Sequence, residues 1–391
     1  MQSAEFMEWY KGQESTSVEW FQTLHRFPET AFEEHQTAHF VASRLREFGI
    51  EVHEDIGKTG VVGVLEGSRP GPSVGFRAEL DALEMDGRAP GDIPSETPGK
   101  FHGCGHDGHS VTLLTFAAFL ASHRDFPGRA VFIFQPAEET LGGAVAMLED
   151  GLFDRFPVDQ IYALHNIPGI ERGTVAICKG GALASSDVLR VTITADGTHG
   201  SAPQTGQDAI MASAVFLTGL QQSITRVIDC RENVVVSFGK IEGGRVNNIL
   251  PGEVTIEGSL RSHSADARQI ALDQIARVAK SVELTYGVKI DLDCQLLVPV
   301  TLNDGVCAER VARAAGKVIG EDKVFRGVTP PMAAEDFSYF AEKVPATYFF
   351  VGQDGPYCHH PEFRFDPQIF AIGASIYAEI LFNQGTNELT G

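Results

Sequence analysis

The chain has 391 residues, and its 31 lysines and arginines against 52 aspartates and glutamates give a formal net charge of −21. This acidic balance argues against nucleic acid or an anionic membrane as a partner, and the length favours two domains. No apolar run approaches the roughly 20 residues of a membrane span, and no signal peptide pattern opens the chain. The six cysteines are scattered along the sequence. We therefore expect a cytoplasmic protein with reduced thiols.

The first 185 residues are predicted to alternate between helices and strands. Apolar spacing predicts helices at 34–49, 109–121 and 142–150, and strands at 73–83, 128–139, 160–166 and 173–180. Such alternation is typical of a mostly parallel α/β sheet flanked by helices. In such sheets the polar groups at the carboxyl ends of the strands form the site.

The pattern changes after Ser185 and is that of a second domain. Strands are predicted at 187–197, 233–243, 253–262 and 288–296, with helices at 206–222 and 265–286. This β-α-β-β-α-β order is ferredoxin-like, and it predicts an inserted α+β domain over 186–297. The first pattern then resumes with a helix at 304–319, a strand at 346–352 and a helix from about 367. The catalytic domain is therefore predicted to be discontinuous, over 1–185 and 298–391.

Potential metal ligands occur at or near the ends of the predicted strands and in the adjoining loops. They are Cys104 and His106 in the glycine-rich stretch "FHGCGHDGHS", Glu138 and Glu139 after one strand, His165 at the end of another, and the pair His359 and His360 in a loop. Sulfur, imidazole and carboxylate donors together suit Zn, Ni, Co or Mn better than Mg or Ca. Of the two adjacent glutamates, one would hold metal and the other would move a proton.

These residues also allow other interpretations. Cys104 is alternatively an inert buried thiol, or a nucleophile paired with His106. A thiol hydrolase does not need the Glu138–Glu139 pair, which favours the metal interpretation. His165 alone would be interpreted as a core histidine. A metal-binding protein without catalytic activity is a further alternative, and the presence of Glu138 beside the ligand set argues against it.

A set of ordered motifs spans nearly the whole chain. They are "LHRFPETAFEE" (24–34), "FRAELDAL" (76–83), "HGCGHDGH" (102–109), "FQPAEE" (134–139), "LHN" (164–166), "HGSAP" (199–203), "GGRVNNILP" (243–251), "GSLRS" (258–262), "MAAEDFSYF" (332–340) and "CHHPEFRFD" (358–366). Through these motifs the chain resembles the M20 metallopeptidase family, in the amidohydrolase branch that contains hippurate hydrolases, N-acyl-amino-acid deacylases and auxin-conjugate hydrolases.

The resemblance implies roles for individual residues. It implies a two-metal centre held by Cys104, His106, Glu139, His165 and His359, with Cys104 bridging the ions. Glu138 matches the general base, and His199 matches a histidine that stabilises the oxyanion. Asn248 and Arg261 match groups that hold the substrate carboxylate, a role for which the planar guanidinium is suited. Of the two adjacent histidines, His359 is chosen as the ligand, because the family resemblance implies a variable residue immediately before the proline, and His360 occupies that position. Glu79 and Glu84 depart from the family pattern.

The resemblance also implies the activity and the assembly. The implied enzyme is a metal-dependent amidohydrolase that cleaves the amide bond of small-molecule N-acyl amino acids, of N-acetyl or N-benzoyl type, through a metal-activated hydroxide. Each subunit would hold two divalent ions, Mn²⁺ or Zn²⁺, with Ni²⁺ or Co²⁺ as alternatives. The inserted domain would act as a lid and would form a homodimer or a higher homo-oligomer. A dipeptidase or carboxypeptidase with the same centre is the alternative activity.

Overall fold

The structure is a computed structural model that describes residues 2–88 and 93–384. The helices are α1 (Gln2–Tyr10), α2 (Glu14–Arg26), α3 (His35–Glu47), α4 (His106–Ser122), α5 (Gly143–Glu149), α6 (Leu152–Arg155), α7 (Ala209–Val227), α8 (Ala265–Tyr286), α9 (Gly305–Ile319), α10 (Ser338–Ala341) and α11 (Gln368–Phe382). The strands are β1 (Glu51–Ile56), β2 (Gly60–Glu66), β3 (Arg69–Glu79), β4 (Pro127–Gln135), β5 (Gln160–Pro168), β6 (Val175–Ile177), β7 (Gly180–Leu183), β8 (Ser185–Thr194), β9 (Thr198–His199), β10 (Val234–Gly243), β11 (Ile249–Leu250), β12 (Glu253–Ser262), β13 (Lys289–Val298), β14 (Thr301–Asn303), β15 (Val324–Arg326) and β16 (Ala346–Gln353).

The chain divides into two compact units. The first, called the catalytic unit here, comprises Met1–Ala182, Leu302–Pro330 and Glu335–Gly391, and the second, the inserted unit, comprises Leu183–Thr301 and Pro331–Ala334. The four residues 331–334, which lie in the predicted catalytic domain, group with the inserted unit because their backbone bonds to it. The Ala184 amide donates to the Ala333 carbonyl, and the Arg261 guanidinium donates to the Met332 carbonyl at 2.9 Å.

The catalytic unit is built on an eight-stranded mixed sheet. Its strand order is β1-β2-β4-β3-β5-β16-β6-β15, and the four central strands β4, β3, β5 and β16 are parallel to one another. Strands β1 and β2 pair in an antiparallel manner at one edge. The predicted fold class, a mixed and mostly parallel sheet flanked by helices with an inserted α+β domain, is confirmed.

Helix α4 is buried along nearly its whole length, as its apolar sequence "VTLLTFAAFLA" predicts. It begins at His106, three residues before the predicted start. The residue before it, Gly105, has a φ of +99°, which glycine adopts without the steric cost that a Cβ brings. A Cβ at Gly105 would also lie 2.4 Å from Oδ1 of Asn166. This glycine therefore allows Cys104 and His106 to stand on either side of a tight turn.

The inserted unit has the predicted ferredoxin-like arrangement. Its four-stranded sheet has the order β10-β12-β8-β13 with antiparallel pairing throughout, and helices α7 and α8 supply the apolar residues that cover it. Helix α8 spans the predicted range, because Ser264 caps its first turn through the Ala267 amide and Gly287, at a φ of +70°, ends it. Among the described residues of both units, no helix combines the length and apolarity that crossing a membrane requires.

Candidate metal centre

Four segments of the catalytic unit bring polar side chains together. They are the start of α4, the turn between β4 and α5, the strand β5 and the loop after β16. Sγ of Cys104 lies 3.4 Å from Nε2 of His165, and Nε2 of His359 lies 3.3 Å from Oε1 of Glu139. His165 stands inside β5, which continues to Pro168, and not at the end of the strand as the sequence indicated.

The clustered side chains form overlapping groups of potential metal ligands. Within each group the donor atoms lie within 4.8 Å of one another, and three of the groups are Cys104 with His106 and His165, Cys104 with Glu139 and His359, and His106 with Glu138 and Glu139. The five predicted ligands all occur in these groups, and Cys104 belongs to two of them. Cys104 would therefore be available to ions held by either group.

His106 is oriented by Asp81. Nδ1 of His106 lies 2.9 Å from the Asp81 carbonyl oxygen and 3.2 Å from its Oδ1, so Nδ1 carries the proton that it donates to Asp81. The other nitrogen, Nε2, then faces Glu138 and Glu139 at 3.8 and 4.0 Å. In metalloproteins, carboxylates that are not themselves ligands hold the metal-binding histidines in this way.

The cluster has the properties of a cation site. Nε2 of His106 is buried without a hydrogen-bond partner in the described part of the chain, and such an atom is costly unless something binds it. Burial opposes a charge on His106, but the hydrogen bond to Asp81 and the charge of Glu79 outweigh it and raise the pKa of His106 to about 10. Negative groups that draw a proton onto a buried ring would equally stabilise a divalent ion.

Glu138 stands at the deep side of the cluster. Its carboxylate lies within 4.8 Å of those of Glu335 and Asp336, and its side chain is almost fully buried. Burial, followed by the charges of Glu335 and Glu139, raises the pKa of Glu138 well above its ordinary value. A carboxyl group that holds a proton so readily is suited to general acid–base chemistry.

Asp81, to which the sequence assigned no role, links two segments of the centre. In addition to its contacts with His106, its Oδ2 accepts a hydrogen bond from the Glu139 amide at 2.9 Å. One carboxylate thus fixes the ring of His106 and the backbone that carries Glu138 and Glu139. The aspartate in "FRAELDAL" is the only signal in the sequence that could have indicated it.

A buried charge network lies below Glu138 and was not predicted from the sequence. The fully buried Arg77 contacts Glu79, Glu335 and Asp336, with Nη2 lying 2.8 Å from Oε1 of Glu335. Oε2 of Glu79 in turn lies 2.8 Å from Nδ1 of His109. Burial opposes ionisation of Glu79, but the charges of Arg77 and His109 hold its pKa well below the ordinary value. The signal in the sequence that could have indicated this network is the presence of charged residues within the buried strand β3.

The remaining predicted site residues lie in the inserted unit. His199 in β9 pairs with Ile249 in β11, and its Nδ1 accepts a hydrogen bond from the Ser201 amide at 3.1 Å. The Gly200 amide donates to the Asn248 carbonyl at 2.8 Å, so the structure brings the segments of His199 and Asn248 together. Arg261 stands on β12, and its guanidinium donates to a main-chain carbonyl of the same unit.

Comparisons with known proteins agree with this arrangement. The profile of the peptidase family M20/M25/M40 matches residues 75–383. The hippurate hydrolase of Campylobacter jejuni is 36% identical over 358 residues, which cover 91% of this chain and 93% of that protein. The N-acetyl-L-cysteine deacetylase of Bacillus subtilis is 32% identical over 349 residues, covering 88% and 82%. The crystal structure of the Bacillus subtilis YXEP protein, described as a dinuclear metal-binding peptidase from the M20 family, has a TM-score of 0.85 at 28% identity and covers 95% of this chain and 98% of that one.

Proposed function

Since the chain belongs to the peptidase family M20/M25/M40, we propose that it hydrolyses the amide bond of N-acyl amino acids and releases a carboxylic acid and a free amino acid. The chain is a metal-dependent amide hydrolase, as its similarity to the hippurate hydrolase and to the deacetylase supports. N-acetyl and N-benzoyl amino acids are the substrates to which those two names point.

One observation carries this proposal, namely the overlap of the ligand groups at Cys104 and Glu139. A single sulfur atom within reach of His106 and His165 on one side, and of Glu139 and His359 on the other, supports a centre for two ions. We assign these five residues as the ligands. Divalent ions bound there would polarise the amide carbonyl and lower the pKa of a water molecule.

Glu138 is assigned as the general acid and base. Its carboxylate is buried, it belongs to the turn after β4, and it lies 3.8 Å from Nε2 of His106, so it is close to the proposed ions without being needed as a ligand. It would take a proton from the attacking water and later deliver it to the nitrogen of the departing amine. The neighbouring carboxylates of Glu335 and Asp336 favour its protonated form, which helps the second of these steps.

We assign substrate recognition to the inserted unit. We propose that His199 stabilises the oxyanion and that Asn248 and Arg261 hold the substrate carboxylate. The support is chemical: an imidazole can donate to a developing oxyanion, and a guanidinium forms two parallel hydrogen bonds to a carboxylate. The side chain of His199 is exposed, so the other residues of the inserted unit leave it accessible to a ligand.

We propose Mn²⁺ or Zn²⁺ as the ions, with Ni²⁺ or Co²⁺ as alternatives. A set with one thiolate, three imidazoles and one carboxylate contains softer donors than Mg²⁺ or Ca²⁺ prefers. We also propose that the protein is cytoplasmic, since its six cysteines are all free thiols. Self-association through the inserted unit is proposed because β10, an outer strand of its sheet, exposes Val235 and Ile241.

A second candidate activity is that of a dipeptidase or carboxypeptidase. The description of the YXEP protein as a peptidase favours it, because the same donor arrangement would serve a peptide bond. The two activities differ in the group on the acyl side of the scissile amide, which carries a free amine in a dipeptide and none in an N-acyl amino acid.

The test combines metal analysis with a substrate panel. The purified protein is stripped with a chelator, reloaded with Mn²⁺ or Zn²⁺, and assayed with N-acetyl amino acids, N-benzoyl amino acids and dipeptides. We expect two ions per chain, loss of activity on chelation, recovery on reloading, and preference for the N-acyl substrates. Preference for dipeptides would favour the second candidate. Activity that survives chelation but is lost on thiol alkylation would contradict both and favour a cysteine nucleophile.

A further inference from the structure

A second cysteine lies against the proposed bridging ligand. Sγ of Cys358 lies 3.8 Å from the Cys104 carbonyl oxygen. The side-chain Nδ2 of Asn166 donates to the same sulfur at 3.7 Å. The main chain is joined as well, because the His359 amide donates to the Gly103 carbonyl at 2.8 Å. The two cysteines, 254 positions apart in the sequence, therefore stand side by side.

Cys358 has no assigned part in the metal centre. The groups of potential ligands found among the described residues include Cys104 twice and Cys358 not at all. Cys358 is partly exposed, whereas Cys104 is buried. Cys358 is thus the more accessible of the two thiols to a small oxidant arriving from solvent.

The surroundings permit the two sulfur atoms to approach bonding distance. A disulfide requires an S–S separation of about 2.05 Å and close Cα atoms, and the hydrogen bond from the His359 amide to the Gly103 carbonyl brings the backbones beside the two cysteines together. Cys358 lies in a stretch outside helices and strands, between β16 and α11, where small backbone adjustments do not disrupt a sheet or a helix. On the other side, Cys104 stands between two glycines.

We propose that Cys104 and Cys358 are an oxidative modification site, which a peroxide converts to a disulfide that withdraws the Cys104 sulfur from both of its ligand groups. The peroxide first oxidises the Cys358 thiol to a sulfenic acid, and one water leaves. The Cys104 sulfur then attacks the sulfenic sulfur, so that the S–O bond breaks, the S–S bond forms and the displaced hydroxyl leaves as water with the thiol proton. The two sulfurs are oxidised, and the peroxide oxygens are reduced.

This inference rests on the proposed function in one respect, that Cys104 is a metal ligand. It follows that bound ions and the disulfide exclude each other. The ion-loaded protein resists oxidation at this pair, and the ion-free protein is sensitive to it. A thiol reductant reverses the step and restores the site.

The experiment compares ion-free and Zn²⁺-loaded protein, each treated with a limited amount of hydrogen peroxide. Free thiols are counted, peptides are mapped by mass spectrometry, and bound zinc is measured after zinc is added again. For the ion-free protein we expect two of the six thiols to be lost, a linked peptide containing Cys104 and Cys358, and less than one bound ion per chain. A reductant restores both the thiols and the zinc.

Two variants serve as controls. Cys358→Ser removes the partner thiol, so it gives no linked peptide and retains zinc binding after treatment, and Cys358→Ala is the substitute if the serine variant does not fold. Cys230→Ser removes an exposed cysteine of the inserted unit and behaves as the wild type.

Two results would overturn the inference: absence of the linked peptide from oxidised ion-free wild type, or full zinc binding by the linked protein. If reduced wild type binds no zinc but forms the disulfide, the thiol pair stands and the metal assignment fails.

Discussion

Asp81 and His106 form a hydrogen-bonded pair in which two acceptors of the aspartate, its carbonyl oxygen and its Oδ1, lie 2.9 and 3.2 Å from Nδ1 of the histidine. This pair leaves Nε2 of His106 directed at the two adjacent glutamates. The relationship makes the geometry of the proposed metal centre depend on a residue that is itself no ligand.

Replacing Asp81 with asparagine is therefore expected to weaken metal binding. The asparagine amide retains the shape of the side chain but lacks the negative charge that makes the His106 imidazole a stronger metal ligand. Changes of this kind reduce metal affinity by about 10- to 100-fold. Competition with a chromophoric chelator measures the affinity. Asp125→Asn, at a well-exposed position of the same unit, is the matched control and should bind as the wild type. Equal affinities of the two variants would contradict the positioning role.

Glu138→Gln is expected to lose turnover while keeping its metal. The glutamine fills the same space but cannot move a proton, and loss of a general acid–base group lowers the rate by about 10²- to 10⁴-fold. Activity and metal content are measured on the same preparation. The control is Glu149→Gln at the exposed end of α5, which should retain both properties. A metal-loaded Glu138→Gln protein with wild-type turnover on every hydrolysable substrate would rule out the proposed mechanism.

Arg77→Met is expected to destabilise the catalytic unit. The arginine is the buried cation among Glu79, Glu335 and Asp336, and its removal leaves those carboxylates without their shared partner. Removing one member of a buried ion cluster costs about 3–5 kcal/mol in the free energy of unfolding. Urea denaturation, followed by tryptophan fluorescence, measures the change. Arg155→Met, at a half-exposed position, should change the stability by no more than about 0.5 kcal/mol, and a similar effect of both variants would show that the cluster contributes little.

The buried Glu34 leads to a prediction of how the free energy of unfolding depends on pH. Burial raises the pKa of this glutamate, whose carboxylate accepts hydrogen bonds from Thr59 at 2.6 Å and from the Ala137 amide at 2.8 Å. Because the folded pKa lies above the unfolded value, the unfolded state loses its proton first. The free energy of unfolding therefore falls as the pH rises through the window between the two pKa values, and the loss is complete above the folded pKa.

Glu34→Gln removes this titration and keeps an acceptor for the Ala137 amide. Its free energy of unfolding should exceed that of the wild type at neutral pH, by about 1.4 kcal/mol for each unit by which the pKa is raised, and the difference should vanish below the unfolded pKa. Thermal or urea unfolding at a series of pH values from acid to neutral checks this. A difference that stays constant with pH would show that Glu34 does not titrate in this window.

The elements of this protein were largely predictable where the local pattern was strong. Helix α8 and strand β12 coincide with the predicted ranges 265–286 and 253–262, since caps and alternation are encoded within each segment. The predicted start of α4, residue 109, lies three residues after the observed start at His106. The reason is that the hydrophobic pattern begins only after the polar residues of the first turn. Strand β5 continues beyond His165, because its pairing with β16 extends to Gln353 and Pro168.

The sequence by itself determined which donor atoms are present and the type of element that carries each of them. A thiol, imidazoles and carboxylates at or near the ends of predicted strands and in the adjoining loops already predicted a metal centre, since the carboxyl ends of parallel strands meet at one edge of a sheet. Only the tertiary structure decided that Asp81 orients His106, that Arg77 is surrounded by three carboxylates, and that Sγ of Cys358 lies 3.8 Å from the Cys104 carbonyl oxygen. The physical reason is that hydrogen bonds and ion pairs act over about 3–4 Å, and a local sequence pattern does not specify which distant segments approach that closely.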